Sequence, residues 1–149
     1  MWEFKVFLHI PRKRFGMEND MISFEEFIKN DRIPIYLQIL LYVKRGILSG
    51  GIQQGEALPS RRMLSTMLGV NPNTVQKAYR MLEEEGLVCS HAGAKSVIEF
   101  NEQSLRNIRR ELLEEDMEHI IADWKQMGLS KEEAVELMSE LWDLSLIHI

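Results

Sequence analysis

A mainly α-helical chain with one small β-hairpin is predicted, and three observations carry the prediction. Apolar residues recur at helical spacing in five separate stretches. The period shifts to β-prone runs in one place, around Leu87, Val88 and Cys89 and again over residues 96–100, with Ala92, Gly93, Ala94 and Lys95 as the turn between them. Proline and glycine punctuate the helices at the expected ends: Pro72 sits just inside a start, while Gly50, Gly69 and Gly128 follow stops. Three helices and then a hairpin is the order a winged helix-turn-helix requires. Two more helices follow as a C-terminal tail.

Residues 60–86, SRRMLSTMLGVNPNTVQKAYRMLEEEG, organise the rest. Ser60 is placed to cap a short helix with Leu64, Met67 and Leu68 inside, and Gly69 suits the left-handed stop after it. Asn71 is a good N-cap and Pro72 a good first helical residue. Val75, Ala78, Tyr79 and Leu82 then form the stripe that faces a core. Asn73, Gln76, Lys77 and Arg80 lie opposite and are donor-rich, as groups that reach base edges and phosphates must be. Periodicity alone fits an ordinary helical hairpin with a solvated outer face equally well. The hairpin that follows favours a wing.

Upstream, Pro34 opens a helix that buries Tyr36, Ile39, Leu40, Val43 and Ile47, with Gln38, Lys44 and Arg45 expected outside. Residues 52–59 are a connector with room for a very short strand near Leu58. Residues 22–32 read as a short lead-in, and residues 1–33 together as an N-terminal arm. Residues 1–20 begin with alternating apolar residues and then Arg12, Lys13 and Arg14, the reverse of the order in a secretory signal. They are read as a flexible arm or, preferably, as translated upstream sequence. Mass spectrometry of the natural protein is expected to find Met21 first, and Met1 or Trp2 at that end would refute it.

Composition narrows the function. The 149 residues are 45% hydrophobic and 28% charged, with a net charge of −5. The single cysteine, Cys89, excludes an internal disulfide and fits a reducing cytosol. No apolar run is long enough to span a bilayer, so no membrane partner is expected. The charge is unevenly spread: residues 34–100 carry seven Lys/Arg against five acids, while residues 101–149 carry five against twelve. A surface field follows this local distribution, so the negative total does not exclude a nucleic-acid partner at the first segment. His9, His91, His119 and His148 are scattered, and no nucleophile elbow, Walker loop or zinc-type cysteine pair occurs. Neither an enzyme, a metal nor another cofactor is expected. Met63, Met67, Met81 and Met138 read as core filler.

The segments PIYLQI, GEALPSRR, LGVNPNTV and AYRMLEEEGLV, in this order and spacing, resemble the N-terminal domain of the GntR family of bacterial transcriptional regulators over residues 34 to about 98. That resemblance implies a winged helix that binds operator DNA as a dimer. Arg62 matches the family's DNA-contacting arginine on the second helix. Asn71, Asn73, Thr74 and Gln76 match the start of the recognition helix, and Gly93 matches the wing glycine. Ser60, Arg61, Lys77, Arg80 and Lys95 complete the expected DNA-binding set. The chain departs from the pattern where many members carry arginine at the positions of Pro72 and Gln76. It departs again where Ala92 and Lys95 replace a polar wing-tip residue and a second wing glycine. Met63 also replaces the glutamate that would complete a capping box with Ser60.

Residues 101–149 read as a helical dimerisation tail. Leu113, Met117, Ile120, Trp124 and Met127 stripe its first helix, and Leu137, Met138 and Leu141 its second. Gly128 ends the first, and the capping box from Ser130 to Glu133 starts the second. Two such helices cannot bury both stripes on each other, so a second copy is the expected cover. A tail folded back on its own winged helix is the alternative. This compact tail resembles that of the short-tailed YtrA-type subfamily, where it serves dimerisation. Residues 144–149 end the chain on an abrupt apolar run that coincides with a translated sequencing adapter, and are read as non-native; a genuine apolar tail packing on the dimer is the other reading. The expectation is a cytoplasmic, homodimeric, sequence-specific DNA-binding regulator, a repressor by preference, with its effector unassigned. A winged helix that binds other proteins without specific DNA contact is the competing class.

Overall fold

The computed structural model describes residues 21–90 and 95–145. The helices are α1 (Ile35–Ser49), α2 (Arg61–Leu68), α3 (Pro72–Glu84), α4 (Glu102–Gln126) and α5 (Lys131–Ser145). Between α3 and α4 lie β1 (Val88–Ser90) and β2 (Ser96–Ile98), paired antiparallel with Cys89 opposite Val97. Among the described residues this is the predicted fold class: five helices and a two-stranded sheet in winged helix-turn-helix order. The chain divides into two compact units between Ile108 and Arg109, within α4.

α2 and α3 start, and α2 stops, where local chemistry directs. Ser60 Oγ accepts the Met63 N–H at 3.1 Å, and Asn71 Oδ1 accepts the Asn73 N–H at 2.8 Å. These caps satisfy donors that a helix start leaves orphaned. At the turn between α2 and α3, Gly69 sits at φ 63°, and the Val70 N–H bonds the Ser65 carbonyl at 3.1 Å. A left-handed residue with that bond pattern is a glycine helix stop. Ser65 Oγ, buried, donates to the Val70 carbonyl at 2.6 Å and ties the turn to its own helix.

α3 packs against α1, α2 and β1, and its apolar stripe is the centre of the core. Val75, Ala78, Tyr79 and Leu82 are buried there with Ile39 and Val43 of α1 and Leu64 of α2. The buried Tyr79 hydroxyl donates to the Pro59 carbonyl at 2.7 Å, joining α3 to the residue just before the α2 cap. Burial holds that phenol protonated far above its usual range, against the opposing pull of Arg61.

Several expectations are corrected. Residues 21–27 are not an arm apart from the domain. Ile22 and Phe24 are buried, and the Ile22 N–H bonds the Ala57 carbonyl at 2.8 Å. The Phe24 and Phe27 rings lie 4.9 and 5.4 Å from that of Tyr42, whose hydroxyl donates to the Ser23 carbonyl at 2.9 Å. Desolvation there, aided by Glu26, pushes the Tyr42 phenol up to about 12. The connector does pair as a strand near Leu58: the Leu58 N–H bonds the Ser96 carbonyl, and the Ile98 N–H bonds the Glu56 carbonyl, both at 2.8 Å.

Gln38 and Lys44 were expected outside and are buried. Gln38 Nε2 donates to the Asn30 and Ile33 carbonyls at 2.6 Å each, and Gln38 Oε1 accepts the Asn30 N–H, so the amide is satisfied indoors. The fully buried Lys44 ammonium pairs with Glu85, whose side chain is 35% exposed. The pair is asymmetric, and so are the expected costs of breaking it. Glu85→Ala leaves a charge in the core without this carboxylate and should cost about 3 kcal/mol. Lys44→Met fills the same volume while the glutamate turns to water, and should cost less than about 1.5 kcal/mol. Urea denaturation of both variants checks the order.

Met63 and Met67 are likewise not core filler. They are 45% and 51% exposed, because a helix as short as α2 buries only the side bearing Leu64, Ser65 and Leu68. Met81 and Met138 are half-buried.

Candidate nucleic-acid interface

The geometry of α3 decides what its outer side offers. Asn73, Gln76, Lys77 and Arg80 recur at i, i+3, i+4 and i+7 and are all exposed. They lie opposite the core stripe, whose four members are almost wholly inaccessible to solvent. The outer row is therefore fixed in direction by packing rather than by its own contacts. Thr74, half-buried, has its N–H bonded to the Asn71 carbonyl at 2.9 Å. Asn71 is exposed and spends its side-chain oxygen on the cap, so the donors of its amide group are what it has left to offer.

α2 supplies the second part. Arg62 is exposed one residue into that helix, beside Arg61. Arg61 turns inward: its guanidinium carbon stands 5.7 Å from the centre of the Tyr79 ring, and its Nε is buried with no hydrogen-bond partner among the described residues. Stacking on an aromatic face suits the weakly hydrated guanidinium and holds it at the α2–α3 contact. Ser60 is exposed, with its oxygen committed to the cap.

The structure also gives two of these cations partners, one of which spacing could not foresee. Lys77 Nζ lies 3.6 Å from the centre of the Tyr36 ring on α1, and Arg80 Nε lies 3.6 Å from Glu84 Oε1. The glutamate one turn on was visible in the sequence; the tyrosine, a helix away, carried no signal there beyond its place in a core stripe. At the wing, Lys95 is exposed just before β2, and Ser90 Oγ and Ser96 Oγ share a hydrogen bond at 2.7 Å. Gly93, with His91 and the rest of the wing turn, lies outside the described residues.

In the tail, an Asn101–Ser104 cap opens α4, with reciprocal bonds of 2.8 Å. Gly128 at φ 83° and the Leu129 N–H bonded to the Trp124 carbonyl at 3.0 Å close it. The Ser130–Glu133 capping box starts α5, with bonds of 2.8 and 3.2 Å, and it lowers the Glu133 pKa. The predicted stripe is displayed rather than covered. Leu113 is 53% exposed, Met127 65% and Leu141 52%; Met117 and Leu137 are exposed too. Ile120, Trp124 and Met138 are half-buried. Ile121, Val135 and Trp142 extend the exposed apolar surface beyond the residues singled out by spacing.

The family model for bacterial regulatory proteins of the gntR family matches residues 35–98, the stretch from α1 through the wing. Over 109 residues the chain is 35% identical to the HTH-type transcriptional repressor YtrA of Bacillus subtilis strain 168, covering 72% of this chain and 84% of that one. The chain belongs to the GntR family. Within the GntR family it is of YtrA type, as a second relative supports: the HTH-type transcriptional regulator YhcF of the same organism is 32% identical over 103 residues, 69% of this chain and 85% of its own. A solved GntR family transcriptional regulator from Listeria monocytogenes superposes with a TM-score of 0.66 at 28% identity, over 75% of this chain and 98% of the other. A transcriptional regulator from Oenococcus oeni gives 0.65 at 26%, over 80% and 99%. GntR regulators bind DNA and are not enzymes, and this chain is a DNA-binding transcriptional regulator of that family. No helix among its described residues is long and apolar enough to cross a membrane.

Proposed function

We propose that this GntR regulator acts in the cytoplasm as a homodimeric repressor on a two-fold-related operator. The observation that carries the reading is the donor row of α3, exposed and held in direction by the buried stripe behind it. Asn73, Thr74 and Gln76 read base edges, with Asn71 at the helix start. Lys77, Arg80, Arg61, Ser60 and the wing's Lys95 and Gly93 hold backbone, and Arg62 reaches the duplex from α2. Side-chain amides pair with base edges in the major groove, while amines and guanidiniums neutralise phosphates. The repressor assignment leans on the name of YtrA. Dimerisation leans on Leu113, Met117, Ile120, Trp124, Met127, Leu137, Met138 and Leu141, an apolar surface that a single chain leaves largely in water.

Selection from random-sequence DNA followed by a gel shift tests this. A competitor-resistant complex on a sequence with half-sites about one helical turn apart, or a multiple of it, is expected. Lys77→Ala should lower the slope of log affinity against log salt by about one unit. A chain that selects no sequence and binds no duplex at low ionic strength is instead a protein-interaction module.

A further inference from the structure

We propose that Tyr36 is a positioning residue for DNA binding: its ring holds the Lys77 ammonium where α1 meets α3, in place for a backbone phosphate. The inference rests on the DNA-binding reading above and adds a residue of α1 to it.

Lys77 Nζ stands 3.6 Å from the centre of the Tyr36 ring, well inside the range over which a cation is drawn to an aromatic face. Tyr36 is half-buried at the start of α1, and α1 packs against α3, so the ring has a fixed seat while the lysine stem alone is long and free to turn. The choice of partner matters. Arg80, one turn further along the same row, is paired with the carboxylate of Glu84, which competes with a phosphate and offsets the arginine's charge. The Tyr36 ring is neutral. It orients the ammonium without cancelling its charge, and the three rotatable N–H donors are not used up by the ring face. An ordered lysine loses less side-chain freedom when it docks on a phosphate than a mobile one does. The ring therefore favours binding through Lys77 without itself contributing charge.

The arrangement makes a pattern that a purely structural role would not. On a duplex recovered by selection, Tyr36→Leu should weaken binding about threefold, the worth of an exposed cation–π pair. The salt slope should stay that of the wild type, since Lys77 still displaces its counterion. Tyr36→Phe keeps the ring and should bind as the wild type does. In a Lys77→Ala background, Tyr36→Leu should add no further loss. An equal loss in both backgrounds, or Tyr36→Phe as weak as Tyr36→Leu, overturns the inference. So does full affinity in Tyr36→Leu while the wild type binds; a wild type that binds no duplex overturns the parent reading as well. A measurement on the free protein stands apart from both. The ε-methylene protons of Lys77 should be shifted upfield by the ring in the wild type and in Tyr36→Phe, and an unshifted wild-type signal overturns the proposal even if Tyr36→Leu fails to fold.

Discussion

A chain carrying Leu113→Glu together with Met117→Glu is expected to sediment as a 17.4 kDa monomer, while the wild type sediments at twice that mass. Both side chains are already exposed in the single chain, Leu113 by 53% and Met117 by 37%, so carboxylates there meet water and leave the helix intact. In the proposed dimer the same positions would meet a partner's apolar face, and each carboxylate would be desolvated without a counter-charge, a cost of several kcal/mol, roughly. DNA affinity should follow. Two reading heads on one body bind the second half-site at high effective concentration, and separating them should lower operator affinity on the order of a hundredfold. Far-UV circular dichroism should be unchanged. A double variant that remains dimeric would assign the exposed stripe to some other occupant.

Arg62→Ala has the next largest expected effect. The residue is exposed at the start of α2, in the interface proposed above. A bidentate guanidinium contact to a base is worth about 1–3 kcal/mol, so affinity should fall by about fivefold to a hundredfold. Arg62→Lys keeps the charge but loses the planar fork, and should recover the salt slope without recovering the affinity. Arg110→Ala is the control: that arginine is paired with Glu114 at 3.0 Å on α4 and should leave DNA binding unchanged. Equal affinities for the wild type and Arg62→Ala on the selected operator would remove Arg62 from the interface.

Much of this was legible in the residues because the physics involved is local. The caps at Ser60, Asn71 and Ser130 and the glycine stops at Gly69 and Gly128 involve partners a few residues apart, so chemistry and spacing name them together. The core stripe of α3 and the donor row opposite it follow from one helical period. Where Lys44 and Gln38 departed from expectation, the deciding partner lay outside their own helix. Lys44 read as a surface lysine because Glu85, its partner, caps the end of α3, far along the chain. Gln38 read as exposed because the carbonyls it satisfies lie in the segment before α1. Met67 read as buried because its spacing was right, although α2 offers the core too narrow a side to reach it.

The order of three helices, a hairpin and two tail helices, the direction of the recognition helix and the family itself were already written in the chain, since periodicity, capping and motif spacing are short-range properties. Only the folded arrangement showed that residues 21–27 complete the core, that Arg61 rests on Tyr79 and that Lys77 is held over Tyr36. Each of those depends on groups brought together by packing, and a charge or a ring has no period of its own from which its neighbour can be read.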